Sequence, residues 1–222
     1  MESENAPQSA QKTISPMVAR LIIAVAVALM IIGNATHLLP DYIIIPSFLV
    51  LCIGLIIATG SKPAGMDLRY VVLTLAVSFA YFILLNRYET LSGGYFAFGK
   101  SLGFFLGEIP LLSIFLVAIP AILSQNFIRN IQMNIYLRSL AGSVLIGIPI
   151  AFVMFAGPMV DVLYWENLLP SPVVFVSVFI LSYFLAFAGQ QLNYTMSTRL
   201  YREIYLSWIL FWIAAFGIHQ LG

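Results

Sequence analysis

The sequence predicts an all-α polytopic membrane protein, seven transmembrane helices in one bundle, and three observations carry that reading. Of its 222 residues, 61% are hydrophobic and only 9% are charged, where a soluble domain carries about 25% charged residues. The mean hydropathy is +0.99. The apolar residues gather into seven runs, each near the ~20 residues a helix needs to cross a bilayer.

The same composition excludes other classes. A net charge of +1 makes no basic field for nucleic acid. Cys52 is the single cysteine and lies in an apolar run, which excludes a disulfide scaffold or a thiolate zinc site.

Residues 1–16 are rich in Ser, Gln and Glu and lack periodicity; they predict a disordered cytoplasmic tail. The run after them is too long for a signal-peptide core and has no small-residue cleavage site, so it reads as a real helix. The predicted spans are 17–39, 43–60, 69–86, 101–124, 138–157, 172–193 and 202–221. No internal repeat or long linker divides residues 17–222, which form one transmembrane domain.

Orientation follows from the basic residues. With a cytoplasmic N-terminus, Lys12, Arg20, Lys62, Arg69, Arg129, Arg138, Arg199 and Arg202 fall inside, and Arg87 and Lys100 fall outside. The C-terminus is then outside, as in an integral protein of a bacterial inner membrane. The outer side also collects Asp41, Glu89, Asp161 and Glu166.

Pro110 and Pro120 in the fourth span and Pro149 in the fifth each free a carbonyl four residues earlier, at Leu106, Leu116 and Leu145. Neighbouring helices or water must satisfy such groups. Gly99, Gly103 and Gly107 recur every four residues, and on a helix that spacing forms a ridge for close packing. Ser139, Ser143, Gly147 and Ala151 repeat it on the fifth span, a natural neighbour for the fourth. Asn193-Tyr194-Thr195 matches a glycosylation sequon but falls on the predicted cytoplasmic side, where it is chance.

Polar chemistry concentrates in residues 87–110. Glu108 lies in an apolar run about two turns below the outer surface, between Phe104, Phe105, Leu111 and Leu112. A carboxylate at membrane depth usually faces a bundle interior or water cavity and marks function. The alternative is a structural pair with Lys100 or Arg87. Tyr164 and Trp165, at the entry to the sixth span, suit an interfacial anchor. His37 and His219 are isolated and lack ligand spacing, so they read as interface caps and no metal is expected.

Two stretches resemble the carotenoid-biosynthesis membrane protein family, whose characterised members are carotenoid hydratases of the gamma-carotene and bisanhydrobacterioruberin type. In the first, Phe96-Ala97-Phe98-Gly99 precedes Leu102-Gly103 and then Ile109-Pro110-Leu111; in the second, Tyr164-Trp165-Glu166-Asn167 precedes Pro170. The family places an acid before the proline that precedes this Trp, whereas this chain has Gly157-Pro158, with Asp161 displaced from that position. Glu108 stands where the family more often has a small residue.

The resemblance implies cofactor-independent addition of water to a terminal isoprene double bond, on a carotenoid or other isoprenoid lipid. On its own place in the apolar run, and not through the resemblance, Glu108 would be the proton donor, with Asp161 and Glu89 as helpers. Tyr95, Phe98, Phe104, Phe105, Tyr164 and Trp165 would line the substrate and offer faces to a cation. Two other readings stand beside it. One is a non-catalytic subunit binding a lipid, a membrane-protein partner or a second copy of itself. The other is a solute or proton carrier, against which the lack of an inverted repeat argues.

Overall fold

The computed structural model describes residues 16–35, 41–59, 65–167, 169–194 and 200–221. Residues 1–15 of the expected tail, His37 and Thr195 of the sequon lie outside them. The described residues are mainly helical, with short strands at one end: α1 (Pro16–Ala35), α2 (Asp41–Thr59), α3 (Gly65–Arg87), α4 (Glu89–Ser92), β1 (Phe96–Phe98), β2 (Phe105–Leu106), β3 (Ile109–Pro110), α5 (Ile114–Arg129), α6 (Ile135–Ala156), β4 (Leu163–Trp165), α7 (Pro172–Gln191) and α8 (Leu200–Leu221).

Among the described residues, four helical segments are long and apolar enough to cross a membrane: Leu68–Arg87, Leu111–Arg129, Ile135–Val160 and Pro172–Gln191. Ile43–Ile57 is a shorter apolar helix. The protein is therefore an all-α membrane protein.

The helix ends follow local chemistry. α7 begins with Pro172 in its first turn, where a missing N–H costs nothing. α6 is capped by Asn134, whose side chain accepts from the Leu137 N–H. Pro149 does free the Leu145 carbonyl, and the Tyr205 hydroxyl of α8 donates to it. Near the start of α3, the buried Tyr70 hydroxyl lies 3.2 Å from the Leu185 carbonyl and 3.3 Å from that of Ala121, and accepts from Gln125 Nε2 at 2.6 Å. One phenol thereby ties α3, α5 and α7 together.

Packing is closest between α6 and α7, with α5 next. The small-residue stripe of α6 explains this. A Cβ on Gly147 would come within 2.8 Å of the Phe179 ring, and one on Gly142 within 2.8 Å of Ala186. Gly147 of the stripe thus receives α7, while Gly142 beside it is shared, since its Cβ would also lie 2.8 Å from Ile128 of α5; α6 packs on the expected α5 as well as on α7. On the other flank, Phe48 of α2 stacks on Phe211 at 3.9 Å and on Trp208 at 5.6 Å, joining α2 to α8. An ion pair of 2.8 Å between Arg20 and Glu203 brings the first turns of α1 and α8 to the same end.

The fourth expected span is the main correction. Residues 101–113 are not helix: they form a 3-10 turn at Lys100–Leu102, the β2–β3 hairpin and a second 3-10 turn at Leu111–Ser113 before α5 begins at Ile114. Gly103 and Gly107 take φ of +73° and +67°, the left-handed region that glycine enters without a Cβ penalty. Pro110 then disfavours helical backbone at Ile109. The glycines at 99, 103 and 107 form no helical ridge, and Pro110 interrupts no helix.

Candidate functional site

β1 and β4 pair antiparallel, with Phe96 opposite Trp165, Ala97 opposite Tyr164 and Phe98 opposite Leu163. The pairing continues outward as Glu166 N–H donates to the Tyr95 carbonyl and Tyr95 N–H to Glu166 Oε2, both at 2.9 Å. This ribbon joins the two stretches that carry the resemblance. Side chains alternate across a strand, so Phe96, Phe98, Leu163 and Trp165 share one face and Tyr95, Tyr164 and Glu166 the other.

The inward face is a packed aromatic seam. Trp165 is buried, its Nε1 donates to the Met154 carbonyl at 3.0 Å, and its ring lies 4.6 Å from Phe96. Phe98 meets Phe96 at 5.0 Å and Phe82 of α3 at 5.4 Å. Trp165 is thus a core residue rather than an exposed interfacial anchor. Tyr164 is exposed and donates from its hydroxyl to Asp161 Oδ1. That bond, with smaller contributions from burial and the Asp161 charge, holds the Tyr164 phenol above its ordinary value.

Gly99 makes the ribbon possible. Its N–H donates to the Val162 carbonyl at 2.9 Å, and a Cβ there would sit 1.8 Å from the Asp161 carbonyl oxygen. Asp161 turns the chain at this crossing with φ of +53°. Its carboxylate serves Tyr164 at this corner.

Glu108 sits at the tip of the second ribbon. Phe105 pairs with Pro110 and Leu106 with Ile109, leaving Gly107 and Glu108 as a two-residue turn. A positive-φ glycine in first place is the choice type II′ hairpins make. Glu108 is exposed, not buried in a helix, and its Oε2 accepts from Asn86 Nδ2 of α3 at 2.7 Å. Asn86 is therefore its partner, in place of the expected Lys100 or Arg87.

Between the hairpin and α3 lies a cleft of about 310 Å³, walled by Phe79, Ile83, Asn86 and Arg87 and by residues 106–109. Its floor is apolar, and its rim carries one acid, one amide and one guanidinium. The Trp165 turn does not line it. Phe104, Phe105 and Leu106 lie exposed on the hairpin flank, with Phe104 85% accessible. Glu89 is exposed in the first turn of α4, and Tyr95 is exposed just before β1.

The three expected carboxylates thus occupy separate places: Glu108 on the hairpin with Asn86, Asp161 at the β4 corner with Tyr164, and Glu89 on α4. The expected aromatic residues divide likewise. Phe98 and Trp165 pack inside, while Tyr95, Tyr164, Phe104 and Phe105 face outward. Asn86 went unnoticed in the sequence. Its signal is an amide in the last turn of α3, directly after the apolar run 79–85.

The fold and this end of the bundle define a helical membrane protein with a ribboned cap and an acid-rimmed apolar cleft. Compared with known proteins, the chain matches no family model, no curated protein and no solved structure.

Proposed function

We propose that the chain is a seven-span integral membrane protein of the carotenoid-hydratase type, with a cytoplasmic N-terminus and the Glu108 cleft at the outer face. Among the described residues, seven helices of 16 to 23 residues support the span count, and the basic residues support the orientation. The observation that carries the activity is Glu108, held by Asn86 above a cleft whose floor is Phe79, Ile83 and Ile109.

An isoprenoid tail would enter sideways from the bilayer past Phe104 and Phe105. Protonated Glu108 would give its proton to the CH carbon of the terminal double bond, leaving a tertiary cation on the neighbouring carbon. Water, reaching the site from the exposed rim, would form the new C–O bond and return a proton to the Glu108 carboxylate. The balance is one water added, with no oxidant and no cofactor.

Co-expression with a lycopene or gamma-carotene pathway, read by chromatography and mass spectrometry, tests this. A product heavier by one water is expected; its absence across acyclic and monocyclic carotenoids would sink the activity. The exposure of Glu108 favours a second reading, because acid catalysis of this kind works best where water is excluded. In that reading the cleft binds an isoprenoid lipid without transforming it, and unchanged pigment co-purifies with the protein.

A further inference from the structure

At the opposite end of the bundle, where α5 stops, α6 starts and α7 ends, a second cavity of about 50 Å³ opens among Gln125, Arg129, Arg138, Gly189, Gln190 and Asn193, beside Tyr194. Among the described residues, two guanidiniums line it and no carboxylate does. Arg129 is exposed and makes no hydrogen bond or ion pair among the described residues. Arg138 spends Nη2 on the Met133 carbonyl at 2.8 Å, while its buried Nε has no partner among the described residues. Gln190 donates from Nε2 to Ser139 Oγ and the Ala186 carbonyl, which fixes the amide, and its buried Oε1 has no partner among the described residues. Gln125 is held against Gly189, where a Cβ would lie 2.4 Å from its amide carbon.

The charge does not balance locally. The carbonyl ends of α5 and α7 contribute roughly −0.5 each, and the amide end of α6 roughly +0.5, against two full positive charges. An excess positive charge therefore remains beside a buried, unused N–H donor. An unpaired buried donor is costly, and the guanidinium fork matches phosphate oxygens. The free Gln190 Oε1 asks for a donor from the same ligand. A cavity this size is several times the ~10–15 Å³ that one water needs, room for the oxygens of a phosphate group, with anything larger left outside.

We propose that this cavity binds a phosphate-bearing anion that also presents a hydroxyl, with the anion on Arg129 and Arg138 and the hydroxyl donating to Gln190 Oε1. Both a glycerol-phosphate lipid headgroup and free hydrogen phosphate have this chemistry. The site is remote from the Glu108 cleft, so it stands or falls independently of the proposed activity.

The test uses the full chain in two arms. In nanodiscs, retention of phosphatidylglycerol against phosphatidylcholine is read by native mass spectrometry. In detergent, melting is followed with inorganic phosphate or with sulfate, which lacks a hydroxyl at neutral pH, at matched ionic strength. Selective phosphatidylglycerol retention would support the lipid source; stabilisation by phosphate above sulfate, without lipid selectivity, would support the free ion. In either case Arg129→Gln, an exposed change that keeps the fold, should weaken binding at least about tenfold. Arg69→Gln, an exposed arginine that does not line the cavity, should leave binding unchanged. Equal loss with both variants would overturn the site in favour of a diffuse field, and no selectivity in either arm would overturn it outright. Sulfate acting as well as phosphate is loss of selectivity in the detergent arm and, even where phosphatidylglycerol is retained, would overturn the hydroxyl contact to Gln190.

Discussion

Glu108 and Asn86 illustrate how much a single turn changes the meaning of a side chain. On a helix the carboxylate would be a buried acid; on the hairpin tip it meets water and one amide. If it donates the proton, Glu108→Gln should lower hydration by about 10²- to 10⁴-fold, the usual share of general acid catalysis, while the melting temperature stays put. Full activity in that variant would remove Glu108 as donor. Tyr164 gives a pH-dependent check. Its phenol is held high by Asp161, so the folded state favours the neutral form. That contribution is complete below the ordinary phenol value of about 10 and is lost as pH rises through the raised one. Asp161→Asn should move this ionisation downward, read as the phenolate ultraviolet difference with and without Tyr164→Phe. An unmoved titration would mean that the hydrogen bond does not hold in solution. Gly99→Ala should cost about 1–3 kcal/mol or more by overpacking, since its methyl meets the Asp161 carbonyl; a parental melt would mean that the ribbon crosses elsewhere.

Helices and ribbons differ in how openly the sequence announces them. The sequence predicts α7 over 172–193, where the helix runs Pro172–Gln191, and α3 over 69–86, where it runs Gly65–Arg87. Both are unbroken apolar runs, and hydropathy finds such runs well. The same measure failed over 101–113 because it counts apolar atoms and ignores hydrogen-bond continuity. The cues to the hairpin are steric: Gly107 before Glu108, and Pro110 two residues on. The close approach at Gly99 was not legible at all, because its reason lies across the chain at Asp161. Packing of α6 on α7 rests on Gly147, and Gly147→Leu should separate them, since even a Cβ there reaches Phe179. A destabilisation of about 1–3 kcal/mol is expected, measured by melting in detergent; an unchanged melt would show that Phe179 moves aside freely.

The bundle sorts its polar chemistry to its two ends. One end carries the ribbons, Glu89, Glu108 and Asp161; the other carries Arg20, Arg129, Arg138 and Arg202. Cysteine labelling in a Cys52→Ala background tests which end faces the cytoplasm. Thr90 on α4 and Asn130 after α5 are both exposed, so each accepts a label; Ser92, close by, is buried and does not. In the seven-span reading, an impermeant reagent added outside should reach a cysteine at 90 and not one at 130. The reverse pattern would invert the protein in the membrane.

The β1–β4 pairing makes the bundle sensitive to parity. Two helices, α5 and α6, separate the strands in the chain, so an even number of crossings returns β4 to the side where β1 waits. If one of the two failed to insert, the strands would face opposite compartments with a bilayer between them. Trp165 would then have no Phe96 to cover it, and Gly99 no Val162 carbonyl to meet. A three-residue ribbon too small to stabilise much by itself thus distinguishes a correctly threaded chain from a misthreaded one.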